Sequence, residues 1–263
     1  MDEEKSRRDE ELRARMAEYQ ACEGYKIRDE LRAFRTGYDI FLGNYGELKR
    51  ALAQGQDPQA WPYLWDPKHR DRVVRFNREI ARLLHNYVTA VKSLVEHTRN
   101  FMRAKYADKA FLKEYQERIN KDFKDDPLSQ FLEDLRNYVL HKNIFAASLT
   151  LRTGGGGNAE GSHVALDVIK IREWKRLSPK GRKYLETMAD DARLEETIDA
   201  YREKVMKFWM WIGPRVGKEH TEAFREMAIL EDRIREVDPS WETGYGEVYT
   251  AKGTEPSNRP SPP

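Results

Sequence analysis

Apolar residues recur about every three to four positions through most of the chain, a period typical of helices that pack one side against a core. The longest pattern covers residues 70–102, where apolar residues follow one another at intervals of seven, at Val73, Ile80, Tyr87, Leu94 and Phe101. Further apolar residues widen this stripe, at Val74, Leu84, Val88, Val91 and Val95. Such a wide stripe predicts a central helix that several other helices contact.

Glycine and proline predict where several helices end or begin. Gly43 and the asparagine after it are expected to end a helix that begins near Tyr25, because glycine loses much conformational freedom in a helix. Pro214 is expected to break or kink a long helix that begins near Arg193, because proline lacks the N–H that a helix interior needs. Ser178, directly before a proline, predicts the start of another helix.

The apolar period changes to two between residues 145 and 171. Leu149 and Leu151 alternate with polar residues, and a second alternating run includes Val164 and Leu166. Both runs predict β-strands. Four glycines and an asparagine separate them at residues 154–158, and no Lys-Ser/Thr follows as a phosphate-binding loop requires. The segment is therefore predicted to be a β-hairpin with a mobile tip.

Together these patterns predict an all-α fold, an up-and-down helical bundle with one inserted β-hairpin. Residues 1–24 are expected to form a charged N-terminal helical extension, and residues 25–250 a single helical domain. Residues 251–263 are rich in proline and serine and are expected to be a disordered tail.

Charge limits the expected partners. The 263 residues carry a net charge of only +2, so no global basic field favours nucleic acid, and an RNA partner would need a local patch. The predicted central helix offers one candidate, a basic side formed by Arg75, Arg78, Arg82, Lys92, Arg99 and Arg103. A solvated helix face is the favoured interpretation of this side, and a strip that follows RNA phosphates is the alternative.

Cysteine content and hydropathy favour a cytoplasmic location. Cys22 is the single cysteine, so no disulfide framework exists within the chain and a reducing compartment is expected. The N-terminal residues lack the apolar core of a signal peptide, and no apolar run reaches the length of a membrane span. We therefore expect no membrane partner.

Candidate chemistry is concentrated in the helix predicted at residues 126–143. Asp125 or Asp126 can cap its first turn, and one side is apolar, at Leu128, Phe131, Leu132, Leu135 and Val139. Asn137 and His141 are four residues apart and so are surface neighbours, whereas Arg136 is turned about 140° away from His141. Leu140 interrupts the polar side, which predicts that a second copy of the chain covers it, with the hairpin of the same chain as the alternative.

The six residues from Arg136 to His141 consist of an arginine, an asparagine, three further residues and a histidine. This pattern resembles the motif of the HEPN superfamily, helical proteins many of which are RNA-cutting toxins or defence nucleases. The resemblance covers about residues 70–145. It implies that two protomers contribute paired motifs to one cleft of a homodimer, which would also bring Arg136 and His141 together.

The resemblance predicts a metal-independent endoribonuclease with Arg136, His141 and Asn137 as its catalytic residues. A histidine can act as base or acid near neutral pH, and an arginine can bind two phosphate oxygens at once. Asn137 would orient the imidazole or the substrate. The six histidines are scattered, with no spacing typical of metal ligands, so no metal or cofactor is expected.

A non-catalytic interpretation remains open from the sequence. Arg136 could pair with Glu133 or Asp134, and His141 could cap the helix end. The protein would then be a helical interaction module that binds a protein or RNA partner. His97 lies inside the apolar stripe and is interpreted as a hydrogen-bonded core residue, or alternatively as a group that supports the motif.

Overall fold

The computed structural model describes residues 2–153 and 159–242. These residues form ten α-helices, a π-helical turn at Asn120–Lys124 and two β-strands. In chain order the elements are α1 (Asp2–Ala21), α2 (Glu23–Gln56), α3 (Trp61–Leu64), α4 (Asp71–Tyr106), α5 (Ala110–Ile119), α6 (Pro127–His141), β1 (Ala147–Thr153), β2 (Ala159–Leu166), α7 (Val168–Arg172), α8 (Pro179–Glu186), α9 (Leu194–Glu219) and α10 (Thr221–Val237). The predicted all-α helical bundle with one inserted hairpin is confirmed.

The chain divides into two compact units. One contains the described residues up to Arg35 and from Lys207 onward, and the other is Thr36–Met206. Both divisions fall inside helices, since α2 and α9 each contribute residues to both units. The domain boundaries predicted at residues 24 and 250 stay predictions, and the tail predicted at residues 251–263 lies outside the described residues.

The first unit is built on contacts between α1 and α10. Its apolar cluster contains Tyr19, Cys22, Leu230 and Ile234. The Tyr19 hydroxyl donates a hydrogen bond to the carboxylate of Glu231 at 2.8 Å, so the polar atom of this buried aromatic residue has a partner. Arg8 and Arg15 of α1 also donate to the Val237 carbonyl and the Glu236 carboxylate, each at 2.9 Å, so apolar and polar contacts together attach α1 to α10.

Helix α4 is central to the second unit. It contacts α3, α5, α6 and β1, and its apolar stripe is buried at Ile80, Leu84, Tyr87, Val88 and Val91. Phe41 of α2 packs against Tyr87 with ring centroids 5.8 Å apart. The predicted central helix with several neighbours is thus confirmed.

The helix end predicted at Gly43 is wrong, and of the break or kink predicted at Pro214 the break does not occur. Gly43 lies inside α2, and Pro214 lies inside α9, where the predicted break does not occur. In α2 the residues Phe41 and Leu48 are fully buried on either side of Gly43, and in α9 Ile212 and Val216 are fully buried around Pro214. Burial of these side chains outweighs the local cost of a glycine or a proline, which is about 1–3 kcal/mol.

The predicted β-hairpin is confirmed, and it directly follows α6. Strands β1 and β2 pair in antiparallel register from Ala147–Leu166 to Arg152–Gly161. The Leu149 N–H donates to the side-chain oxygen of Asn77 in α4 at 2.8 Å, which fixes the hairpin base on the central helix. The predicted mobile tip at residues 154–158 lies outside the described residues.

Candidate functional site

Helix α6 carries the predicted motif, and its start follows the local sequence. The Asp126 carboxylate accepts hydrogen bonds from the backbone N–H and the hydroxyl of Ser129, each at 2.8 Å. Pro127 occupies the first helical position, where no donor is needed. The helix ends at His141, so the motif fills its last turns.

The buried side of α6 is wider than the sequence predicted. All five predicted apolar residues are buried, and so are Asp134 and Tyr138. Tyr138 packs edge-on against Trp174 at 5.6 Å, and Phe131 packs on Tyr184 of α8 at 5.2 Å. The wider side reflects neighbours on two sides, since α6 contacts both α4 and α8.

Asp134 links α6 to the start of α8. Its carboxylate accepts hydrogen bonds from the Ser178 N–H at 2.9 Å and the Ser178 hydroxyl at 2.7 Å. Ser178 in turn caps α8 by accepting from the Gly181 N–H at 3.0 Å. Burial raises the pKa of Asp134, and the hydrogen bonds from Ser178 oppose that shift. Sequence reasoning found the cap but not its partner 44 residues away.

Glu133 also has a partner other than Arg136, since its carboxylate accepts a hydrogen bond from Lys92 of α4 at 3.0 Å. The predicted alternative, in which Arg136 pairs with Glu133 or Asp134, is therefore wrong. Arg136 donates instead to the side-chain oxygen of Asn137 at 3.0 Å, and its Nε is buried without a hydrogen-bond partner. Within the described residues no carboxylate lies at ion-pair distance from this guanidinium.

The structure brings two of the three predicted site residues together and leaves the third apart. Arg136 and Asn137 are hydrogen-bonded and partly buried, whereas His141 is exposed. No hydrogen bond joins the His141 side chain to Arg136 or Asn137, or to any other residue in the described ranges. Leu140 between them is partly exposed. Within one chain, the arginine and the histidine of the motif are therefore not hydrogen-bonded to each other.

A cleft of about 290 Å³ lies between α4 and the segment after α6, and we call it the α4 cleft. It is lined by Arg78, Ala81, Arg82, His85, Ile144 and Phe145. Ile144 and Phe145 are 47% and 45% exposed although both are large and apolar. Sequence reasoning noted the basic residues of α4 but missed these two, because they fall in the short connection before β1.

Most of the basic side of α4 is neutralised by neighbouring carboxylates. The pairs are Arg75 with Asp71, Arg82 with Glu79, Lys92 with Glu96 and Glu133, and Arg99 with Glu96. This pattern favours the solvated interpretation for most of the side. Arg78 and Arg103 differ, since none of the described residues places a carboxylate at ion-pair distance from either of them. His97 is exposed, so its predicted core position is wrong.

Three negative findings complete the description of the site. No group of three or more His, Cys, Asp or Glu residues suited to a metal ion occurs within residues 2–153 and 159–242. Among the helices described, none combines the length and apolarity that crossing a membrane requires. Comparison with protein-family models, curated proteins and solved structures finds no match to this chain. The resemblance to HEPN proteins therefore rests on the motif in α6.

Proposed function

We propose that this protein is an endoribonuclease that uses Arg136 and His141 and needs no metal ion. The observation that carries the proposal is the state of Arg136, which is partly buried, hydrogen-bonded only to Asn137 and not neutralised by a carboxylate. A partly buried charge without a counter-charge lowers stability, and such groups are concentrated at functional sites. A phosphate of RNA would supply the missing negative charge.

The proposed reaction is an attack within the RNA strand. A histidine removes the proton of a ribose 2′-hydroxyl, and that oxygen bonds to the adjacent phosphorus. The bond from phosphorus to the 5′-oxygen of the next nucleotide breaks, and a second histidine donates the proton that this oxygen needs. The products are a 2′,3′-cyclic phosphate and a 5′-hydroxyl. Arg136 stabilises the negative charge that builds on the phosphoryl oxygens in the transition state.

Two copies of the chain would complete this site. The reaction needs two histidines in different roles, and one chain offers one in the motif, apart from Arg136. A two-fold axis beside the exposed side of α6 would place two Arg136 and two His141 side chains around one cleft. Asn137 then has the role of a positioning residue, because it holds the Arg136 guanidinium through its side-chain oxygen.

The test is an incubation of the purified protein with mixed RNA in the presence of a chelator. We expect cleavage, and we expect Arg136→Ala and His141→Ala each to abolish it while the variants remain folded by circular dichroism. His97→Ala is the matched control, since His97 is an exposed helical histidine outside the motif, and it should cut RNA as the wild type does. An inert wild type, or cleavage that survives both substitutions, would refute the proposal.

The second candidate is a helical interaction module without catalysis. It is favoured by the separation of Arg136 from His141 within one chain. This function predicts a folded protein that cuts no RNA in either the presence or the absence of added Mg²⁺. Binding of RNA or of a protein would then depend on exposed residues rather than on the Arg136–His141 pair.

A further inference from the structure

We propose that the α4 cleft binds one nucleotide unit of single-stranded RNA, with the base against Phe145 and a phosphate on Arg78. The choice of RNA as the ligand rests on the proposed function. The cleft itself lies outside the motif, because none of its lining residues belongs to α6. It would therefore serve as a substrate subsite in addition to the Arg136–His141 pair.

The apolar wall of the cleft is held in place by a local turn. The backbone N–H of Phe145 donates to the side-chain oxygen of Asn143 at 3.0 Å, and the Asn143 amide donates to the Phe145 carbonyl at 3.2 Å. These two bonds hold the backbone of Phe145, whose aromatic side chain remains half exposed. Exposed aromatic rings of this kind are the platforms on which proteins stack the bases of single strands. Ala81 is buried in the cleft, and its small side chain leaves room for a planar group.

The charged side chains that line the cleft favour an anionic ligand. Arg82 is held by Glu79 through two hydrogen bonds at 2.6 and 2.9 Å, so its charge is largely neutralised. Arg78 is exposed and is not paired with a carboxylate of the described residues, and His85 is partly buried beside it. One uncompensated guanidinium and one aromatic ring therefore line the same cleft. That combination matches a nucleotide, which presents a phosphate and a flat base together.

The size of the cleft agrees with a single nucleotide unit. Its volume of about 290 Å³ is near the lower end of small-molecule sites, which is about 300 Å³. An acidic peptide would also satisfy Arg78, but a peptide interface normally spreads over a larger surface. We therefore commit to single-stranded RNA and treat an acidic peptide as an outcome of the test.

The position of the cleft relates it to the motif. Ile144 and Phe145 follow His141 by three and four residues. Four residues span at most about 14 Å of extended chain, so the backbone of both residues lies within about that distance of the end of α6. An RNA strand seated on Phe145 would thus pass close to His141.

The experiment measures binding apart from cleavage. A short fluorescein-labelled single-stranded RNA with 2′-O-methyl groups cannot be cut by its own 2′-oxygen, and its anisotropy reports binding to the full chain at several salt concentrations. We expect Phe145→Ala to weaken binding at least about fivefold, the lower range for losing one stacked base. Arg78→Ala should weaken binding and also lower the slope of log affinity against log salt by about 0.7, the value for one phosphate contact of a single strand.

Control and rescue variants separate a local effect from unfolding. Arg75→Ala removes an exposed arginine of the same helix that is paired with Asp71 and does not line the cleft, so it should bind as the wild type does. Phe145→Tyr should restore most of the affinity lost in Phe145→Ala, because it keeps an aromatic ring. Arg78→Lys should restore the salt slope, because it keeps the charge.

The possible outcomes distinguish the subsite from the proposed function. Wild-type affinity in both Phe145→Ala and Arg78→Ala overturns the subsite, even if Arg136 and His141 prove essential for cleavage. Affinity that depends on Phe145 and Arg78, in a protein that cuts no RNA, supports the subsite and refutes the nuclease. Absence of RNA binding by the wild type overturns the subsite, and so does a glutamate-rich peptide that displaces the RNA at lower concentration than unlabelled RNA does.

Discussion

Arg136 has no carboxylate partner because Glu133 and Asp134, the two acidic residues before it, bond to other residues. Glu133 is bonded to Lys92, and Asp134 is bonded to Ser178, so neither neutralises the guanidinium. The buried Nε adds a donor without a hydrogen-bond partner. Both features cost stability, and neither contributes to packing. A charged side chain kept in this state is better explained by a ligand than by the fold.

We predict that Arg136→Met abolishes cleavage without destabilising the protein. Methionine keeps the unbranched stem and removes both the unpaired charge and the unsatisfied donor. We expect the free energy of unfolding in urea to stay equal or to rise by up to about 1–2 kcal/mol. A loss of more than about 2 kcal/mol would show that the guanidinium supports the fold, and would weaken the case for a ligand site.

Asp134 provides a prediction on pH dependence. Burial raises the pKa of its carboxyl in the folded protein above the ordinary value of 3.8. A carboxyl whose pKa is higher in the folded than in the unfolded state stabilises the fold most at pH below its unfolded pKa. This stabilisation is lost as the pH rises through the folded pKa. The stability of the wild type relative to Asp134→Asn should therefore be greater at about pH 4 than at about pH 7. Urea unfolding of both proteins at each pH measures this, and a difference that does not change with pH would contradict the raised pKa.

At the scale of elements, the contact between α6 and α8 depends on a glycine. A Cβ at Gly181 would overlap with the Asp134 carboxylate and approach the Ser178 hydroxyl to 3.1 Å. The α8 cap and its link to α6 therefore need this position to lack a side chain.

We expect Gly181→Ala to lower the free energy of unfolding by about 1–3 kcal/mol, because it displaces a hydrogen-bonded carboxylate. Gly43→Ala is the matched control. Gly43 also lies inside a helix, but nothing lies within 4 Å of a Cβ built there. Alanine at that position should raise stability by up to about 1 kcal/mol. Equal effects of the two substitutions would show that α6 and α8 do not depend on close approach at Gly181.

At the scale of the whole molecule, the proposed composite site requires a homodimer. Leu140 is partly exposed on the side of α6 that carries His141, and burying it against a second copy would bring the two motifs together.

We expect light scattering at tens of micromolar to give a dimer for the wild type and a folded monomer for Leu140→Glu. The monomer should also fail to cut RNA. Ile40→Glu changes a residue of α2 that is 53% exposed, and as a control it should leave the dimer intact. A monomeric wild type at this concentration would remove the composite site, and a dimeric Leu140→Glu variant would place the interface elsewhere.

The sequence by itself determined the features that depend on neighbouring residues. The apolar period predicted α4 and α6, the Asp126 and Ser178 caps predicted the starts of α6 and α8, and alternation predicted the hairpin. These features follow from backbone geometry and from side chains within a few positions, which are visible in the sequence. The motif at Arg136 to His141 was visible for the same reason.

Only the tertiary structure decided the features that depend on distant partners. Because flanking residues are buried, α2 continues past Gly43 and α9 past Pro214, although glycine and proline disfavour a helix interior. Lys92 and Ser178, which lie 41 and 44 residues from their acidic partners, left Arg136 without a counter-charge. In the folded chain His97 is exposed, and Arg78 and Phe145 line one cleft. A sequence pattern records which residues a chain offers, but the energy of burying or pairing them depends on contacts that form only when distant segments meet.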